Sequence, residues 1–376
     1  MNNRDRDGKY YIGLVMKIIT NPLKILKIKK RRVLLKSYNA ETISCNPKYI
    51  YNELKKINRY ELVWVLKEPE KYPDVKAVKY MSLKWLYYIV TSQYVISNTG
   101  FNFWLPKKKK QIYINTWHGG GAYKDSDNLN NISKAQVKQI KKSAELEDYF
   151  ISSCAVFTKE YAKKRVGFKG KILEIGTPRN DFLIRNQADD GLKNSIKNRL
   201  GIDDNCSIVI YAPTWRDDAS AIEEIDYESL LESLRETYPK VSILVRGHHL
   251  QKNLIDIKNS NIVNVSDYDD MQELLLISDL LITDYSSTIW DMIHGGKKVL
   301  LYTPDLDEYL KYRGFHVDIK EWNIPYFKTN EELIAYISSN YFKNMEEMIE
   351  NHKIRFGSFE HGNATQKIVE LLEEGN

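Results

Sequence analysis

Leu280-Leu281-Ile282-Thr283-Asp284-Tyr285-Ser286-Ser287-Thr288-Ile289-Trp290-Asp291-Met292-Ile293 is the stretch on which the fold turns. Its apolar start reads as a buried strand that stops at a hydroxyl-rich turn, with a helix beginning directly after it. The first N–H groups of a helix lack partners within it and lie at the positive end of its dipole. Such a start suits an anion, above all a phosphate. Asp and Ser are also favoured there without any ligand, so an ordinary N-cap is the competing reading. Under either reading the unit is strand, turn, helix, the repeat of a parallel α/β layer.

The same alternation extends outward. Strands are predicted at 32–37, 61–66, 94–97, 111–115, 149–152 and 172–175 in the first half, and at 207–211, 241–246, 262–265, 280–283 and 299–302 in the second. Helices are predicted at 131–146, 192–200, 227–237, 271–277 and 288–294, with two or three more between 331 and 374. The second-half strands are apolar on both faces, as expected of a sheet covered by helices on each side. Doubly wound domains bind ligands at the carboxyl ends of their strands, so residues just after a strand carry the most weight.

At 376 residues the chain exceeds the size at which one core stops growing, and two domains are expected. The expected division is a basic segment at 1–30, a domain at 31–190 and a second at 191–376, with the charged stretch 189–204 as linker. Hydrophobic residues at 43% suffice for well-buried cores, and a net charge of +6 is too mild to indicate nucleic acid. Its distribution is uneven: eleven Lys and Arg lie between Arg4 and Lys36, against only Asp5 and Asp7, and a second run is Lys107-Lys108-Lys109-Lys110. Cys45, Cys154 and Cys206 are odd in number and lack metal-type spacing, which fits a reducing cytosol.

No stretch approaches the roughly 20 apolar residues of a membrane span. Tyr11, Leu14, Val15, Ile18 and Ile19 recur at helical spacing until Pro22 stops the run, and no small-residue cleavage site follows. Two readings stand for this helix: it lies in the headgroup layer of an anionic membrane, or it packs on the protein's own core.

Four strand ends carry the candidate chemistry. His118 opens Trp117-His118-Gly119-Gly120-Gly121; its near-neutral pKa suits a proton acceptor, and the glycines let a substrate approach the backbone. A hydrogen-bonded loop histidine is the bland alternative. Arg246-Gly247-His248-His249 offers a guanidinium and an imidazole to clamp a diphosphate, against a solvated loop or, less suited, a metal pair. Pro213 and Thr214 lie in Tyr211-Ala212-Pro213-Thr214-Trp215-Arg216-Asp217-Asp218, and Arg179 in Gly176-Thr177-Pro178-Arg179-Asn180-Asp181. There is no Gly-x-Gly-x-x-Gly, Walker loop or Gly-x-Ser-x-Gly, which counts against dinucleotide enzymes, NTPases and α/β-hydrolases. Scattered Asp-x-Asp triplets do not read as a metal site.

Taken in order, Trp117-His118-Gly119, Pro178-Arg179-Asn180-Asp181, Tyr211 to Arg216, Arg246-Gly247-His248, Ile282 to Ser287, Tyr309 and Arg313-Gly314-Phe315 resemble the CDP-glycerol glycerophosphotransferase family, from about Leu35 to the end. These are teichoic acid primases and polymerases. The resemblance implies a GT-B-like fold, two Rossmann-type parallel-sheet domains facing a cleft, with no metal and no cofactor beyond the CDP-alcohol donor. It implies that His118 is the catalytic base and that Gly119, Gly120 and Gly121 line the donor. Arg179, Arg246, Gly247, His248, Ser286 and Ser287 would hold the diphosphate, with Pro213, Thr214 and Asp291 as further donor contacts. Family members often read His-Gly-Thr-Pro where this chain has His118-Gly119-Gly120-Gly121, which leaves CDP-ribitol beside CDP-glycerol as donor. The implied acceptor is a wall teichoic acid, capsular polysaccharide or lipid-linked glycan, met on the cytoplasmic face of the membrane by a peripheral enzyme. The alternative is a GT-B glycosyltransferase using a nucleotide sugar.

Overall fold

A computed structural model describes residues 3–125, 133–165, 167–214, 224–247, 259–312, 314–339 and 341–375. The chain forms two compact units. One comprises Met1–Gly119, Asp127–Asp181 and Ser358–Asn376; the other comprises Gly120–Ser126 and Phe182–Gly357.

The first unit holds a seven-stranded, all-parallel sheet. Its strands are β1 (Lys29–Lys36), β2 (Glu61–Leu66), β3 (Ala77–Lys79), β4 (Ser92–Ser97), β5 (Ile112–Asn115), β6 (Tyr149–Ser152) and β7 (Lys171–Glu174), in the order β3-β2-β1-β4-β5-β6-β7. Side chains alternate across a strand, and β1 feeds two cores in turn. Leu34 packs with Val63, Val65 and Val95 under α3 (Leu83–Thr91), through Trp85 and Ile89. Val33 and Leu35 pack with Trp64, Tyr94 and Ile96 under α2 (Cys45–Ile57), through Ile50 and Leu54.

The N-terminal helix α1 (Asn3–Thr20) joins the first of these cores through Tyr10, which stacks on Phe103 at 5.4 Å between centroids. A Cβ at Gly13 would fall 2.4 Å from Phe103, so this approach requires glycine. Between β5 and β7 lie α4 (Lys134–Ala144), capped by a reciprocal Ser133–Gln136 pair, and a π-helix at Phe157–Arg165.

The second unit repeats the plan with β8 (Ser207–Tyr211), β9 (Val241–Val245), β10 (Ile262–Asn264), β11 (Leu280–Thr283), β12 (Lys298–Tyr302) and β13 (Tyr326–Phe327), ordered β10-β9-β8-β11-β12-β13 and all parallel. One face packs on α7 (Tyr227–Thr237) through Leu230, Leu231 and Leu234, and on α11 (Asn330–Ser338) through Leu333 and Ile337. Against β8, β11 and β12 lie α8 (Met271–Ile277) and α9 (Thr288–His294), and the unit also holds α10 (Leu306–Tyr312) and α12 (Glu346–Phe356).

The division of the chain differs from the sequence reading in three places. The passage between units falls at Asp181 and Phe182, inside α5 (Pro178–Arg185), rather than at 189–204. The expected linker forms α6 (Asp190–Arg199), whose charges are its solvated face while Ile196 is buried. The last residues, including α13 (Ala364–Glu374), belong to the first unit, because Ile368 and Leu372 complete the core beside α2. Residues 120–126 belong to the second unit.

Candidate active site

In the first unit, sequence order reverses between β1 and β4, the kind of position where open α/β sheets bind ligands. The loops leaving β1, β4 and β5 are tied together there. Asn98, after β4, accepts the Tyr38 N–H through Oδ1 at 2.6 Å, and its carbonyl lies 2.7 Å from His118 Nδ1. A carbonyl oxygen only accepts, so Nδ1 carries the proton of the neutral ring and Nε2 keeps its lone pair. Burial, countering the Asn98 hydrogen bond and aided by the nearby Arg179 charge, lowers the His118 pKa. At neutral pH the ring is a half-buried neutral base, flanked by Trp117 at 4.4 Å and met edge-on by Tyr38 at 5.7 Å.

The backbone of this loop is held from below. Trp117 has φ +51° and Tyr38 φ +48°, left-handed conformations that a non-glycine residue adopts only under constraint. Fully buried Asn46, in α2, donates to the Thr116 and Trp117 carbonyls at 3.1 and 2.9 Å and accepts the Arg179 N–H at 3.0 Å. The Arg179 guanidinium donates to the His118 carbonyl and, at 3.3 Å, to Cys45 Sγ. Only 4% exposed, Arg179 shapes the His118 loop from inside the unit. Its neighbours in the motif serve the same unit: Asn180 donates to Glu360, and the Asp181 carboxylate accepts the Ala364 and Thr365 N–H groups at the start of α13.

In the second unit the order reverses between β8 and β11. Thr214, after β8, donates its N–H and hydroxyl to Asp284, after β11, and Lys124 donates to the Thr214 hydroxyl at 3.1 Å. Arg246, after β9, is anchored through Nη1 to the Tyr268 and Val265 carbonyls, and the Gly247 N–H donates to Ser266. Ser286 Oγ accepts from the Thr288 N–H and hydroxyl, whereas Ser287 makes no side-chain cap bond. Thr214, Arg246, Gly247, Ser286 and Ser287 thus come together at the carboxyl ends of one sheet. Asp291 does not: it is 3% exposed and bonded to Gln272.

Gly120 and Gly121 answer to packing. A Cβ on Gly120 would fall 2.0 Å from Trp290 Cδ1, and one on Gly121, at φ +73°, 2.5 Å from Tyr123. Tyr123 in turn donates to His352 Nε2 at 2.7 Å, since His352 Nδ1 is committed to the Trp322 carbonyl. His248, together with His249, Trp215, Arg216, Asp217, Asp218 and Arg313, lies outside the described residues. Sequence reasoning missed Asn46, Asn98, Asn115, Lys124 and the role of Asp284; Asn98, Asn115 and Asp284 offered one signal, their position at strand ends, whereas Asn46 and Lys124 offered none. Among the described residues, no three His, Cys, Asp or Glu side chains are grouped to hold a metal ion.

Two all-parallel α/β units of this kind define a GT-B-like architecture. A UDP-GlcNAc 2-epimerase from Neisseria meningitidis shares the fold alone, at a TM-score of 0.53 and 16% identity over 91% of this chain and all of that one. The chain belongs to the CDP-glycerol:poly(glycerophosphate) glycerophosphotransferase family, whose model matches residues 19–374. It is 32% identical to a teichoic acid poly(glycerol phosphate) polymerase of Bacillus spizizenii, over 96% of this chain and 98% of that protein. It is 31% identical to a teichoic acid glycerol-phosphate transferase of Staphylococcus aureus, over 91% and 93% respectively. A structure of the wall teichoic acid polymerase TagF matches with a TM-score of 0.85 at 28% identity, covering 99% of this chain and 97% of that one. A histidine-to-asparagine variant of TagF soaked with CDPG matches at 0.84.

Proposed function

We propose that this enzyme moves glycerol phosphate from CDP-glycerol to a hydroxyl of a teichoic acid or related lipid-linked glycan, releasing CMP. His118 Nε2 takes the acceptor hydroxyl's proton as that oxygen bonds to the β-phosphorus. The bond from that phosphorus to the bridging oxygen breaks, and CMP leaves with the electron pair. Arg246, Gly247, Ser286 and Ser287 hold the diphosphate at the strand ends of the second unit. Phosphoryl transfer depends chiefly on positioning and charge stabilisation. The observation that carries the reading is the Asn98 carbonyl on His118 Nδ1, which leaves the other ring nitrogen as proton acceptor.

The test is CMP release from CDP-glycerol in the presence of an acceptor. His118→Ala should lower kcat by on the order of 10²–10⁴ while donor affinity stays within a few-fold. Retained turnover would remove the base assignment. A thermal-shift panel should show stabilisation by CDP-glycerol or CDP-ribitol and none by UDP-sugars; the reverse would favour a glycosyltransferase.

The membrane partner rests on α1. Among the described residues no helix is long and apolar enough to cross a membrane. Yet while Tyr10 and Thr20 are buried, Tyr11, Ile12, Val15, Ile18 and Ile19 are all more than half exposed, and Ile25 is 88% exposed. The helix uses one face for the core and turns a second apolar face outward, beside Lys17, Lys24, Lys27, Lys29 and Lys30. That pairing suits peripheral attachment to an anionic leaflet, on the cytoplasmic side where the CDP-alcohol is met.

A further inference from the structure

Beneath the His118 loop lies a carboxyl group that the transfer chemistry does not use. Glu147 sits just before β6 and is 6% exposed. Its Oε1 accepts from Asn115 Nδ2 at 3.0 Å, while Oε2 is buried with no hydrogen-bond partner among the described residues. Asn115 has no freedom to flip, because its Oδ1 accepts the Trp117 N–H at 2.9 Å and only its amide nitrogen can face Glu147. Gly100 closes the third side: a Cβ there would stand 3.2 Å from Glu147 Oε1 and 3.6 Å from Asn115 Nδ2. Gly100 belongs to the loop whose Asn98 carbonyl holds His118 Nδ1. From the π-helix, Tyr161 packs on Trp117 at 4.6 Å.

A buried, half-satisfied carboxyl carries a desolvation cost that an apolar side chain filling the same space would not. What the carboxyl supplies and an apolar group cannot is direction. It fixes the Asn115 amide, which fixes the peptide N–H of a residue held in the left-handed region, one residue before His118.

We propose that Glu147 is a positioning residue for the transfer reaction: through Asn115 it holds Trp117 in its strained conformation and so sets the orientation of the His118 imidazole. This rests on the reading of His118 as the base. Burial raises the Glu147 pKa to about 8, so the neutral acid is the form that accepts from Asn115 near pH 7.

Full-length Glu147→Met, Glu147→Gln and Asn115→Ala test it, with kcat and KM for CDP-glycerol measured beside ¹⁵N NMR of the His118 ring. Glu147→Met keeps the volume but loses the acceptor. It should lower kcat about 10- to 100-fold, the scale of a small misplacement of a reacting group, with KM within about twofold. The His118 nitrogens should also depart from the single Nδ1–H tautomer. Glu147→Gln retains an acceptor and should restore kcat to within about threefold. Asn115→Ala should match Glu147→Met, and the double variant should be no worse than either. The proposal is overturned if Glu147→Met keeps kcat and the tautomer, if Gln fares as badly as Met, or if the two losses add. Turnover retained by His118→Ala would sink the base reading instead, while the tautomer signal in Glu147→Met would still report on positioning.

Discussion

His118 and His352 are set up alike at Nδ1, each facing a backbone carbonyl, and differ in what meets Nε2. In His352 it accepts the Tyr123 hydroxyl, in a site walled by Trp290 and Phe356. Burial lowers the His352 pKa to about 4, against the Trp322 hydrogen bond, which raises it. The unfolded chain binds this proton below about pH 6.5, while the folded chain resists until about 4. The stability contribution is therefore complete above the unfolded value and is lost as pH falls between the two, on the order of 3 kcal/mol. The melting-temperature advantage of wild type over His352→Gln should shrink between pH 7 and 4; a constant gap would refute it. Glu147 has the opposite sign. Desolvation raises its pKa, against Asn115 and Lys107, which lower it. Its contribution is complete below about pH 4.5 and is lost as pH rises through about 8, so Glu147→Gln should gain on wild type from pH 5 to 9. Single residues were only partly legible in the sequence. His118, Arg246 and Ser286 stand out because their chemistry and strand-end positions coincide. Asn46 and Asn115 do not, since an asparagine becomes a clamp only through the carbonyls and N–H groups that tertiary structure brings to it.

At the scale of elements, strands with runs of Val, Ile and Leu were readable to within a few residues. The misses were β3 and β13, edge strands of three and two residues whose definition comes from the neighbouring ladder. The helix α1 packs on the core, as one of its two readings expected, and leaves the face on which the proposed membrane attachment rests exposed, because a helix has room for two apolar faces. Its core face needs Tyr10 and Gly13, and its outward face needs Val15, Ile18 and Ile19. Ile18→Glu combined with Ile19→Glu should cut sedimentation with anionic liposomes by at least about tenfold, since the apolar burial that drives interfacial binding is replaced by charges repelled from the lipid. Turnover on soluble donor and acceptor should stay within about twofold, because neither side chain touches the core. Equal sedimentation of variant and wild type would remove α1 from membrane attachment.

At the scale of the molecule, the chain order and the unit order diverge. A helix as amphipathic as α13 declares that it will cover a sheet without declaring which one, so its placement was beyond local pattern. The contacts that decide it are specific to the first unit. Ile368 and Leu372 are fully buried beside Val33, Leu35 and Tyr94; the Tyr94 hydroxyl donates to the Leu372 carbonyl at 2.7 Å, and Asp181 accepts two N–H groups at the start of the helix. The end of the chain is thus a structural part of the unit that carries His118. Leu372→Ala should cost about 2–5 kcal/mol, the range for truncating a buried leucine. The loss has a required location: hydrogen exchange should accelerate in β1, β4 and β5, with β8, β9 and β11 keeping their protection. Faster exchange confined to the second sheet would show that α13 stabilises that unit instead, and the division of the chain drawn from its compact units would have to be redrawn.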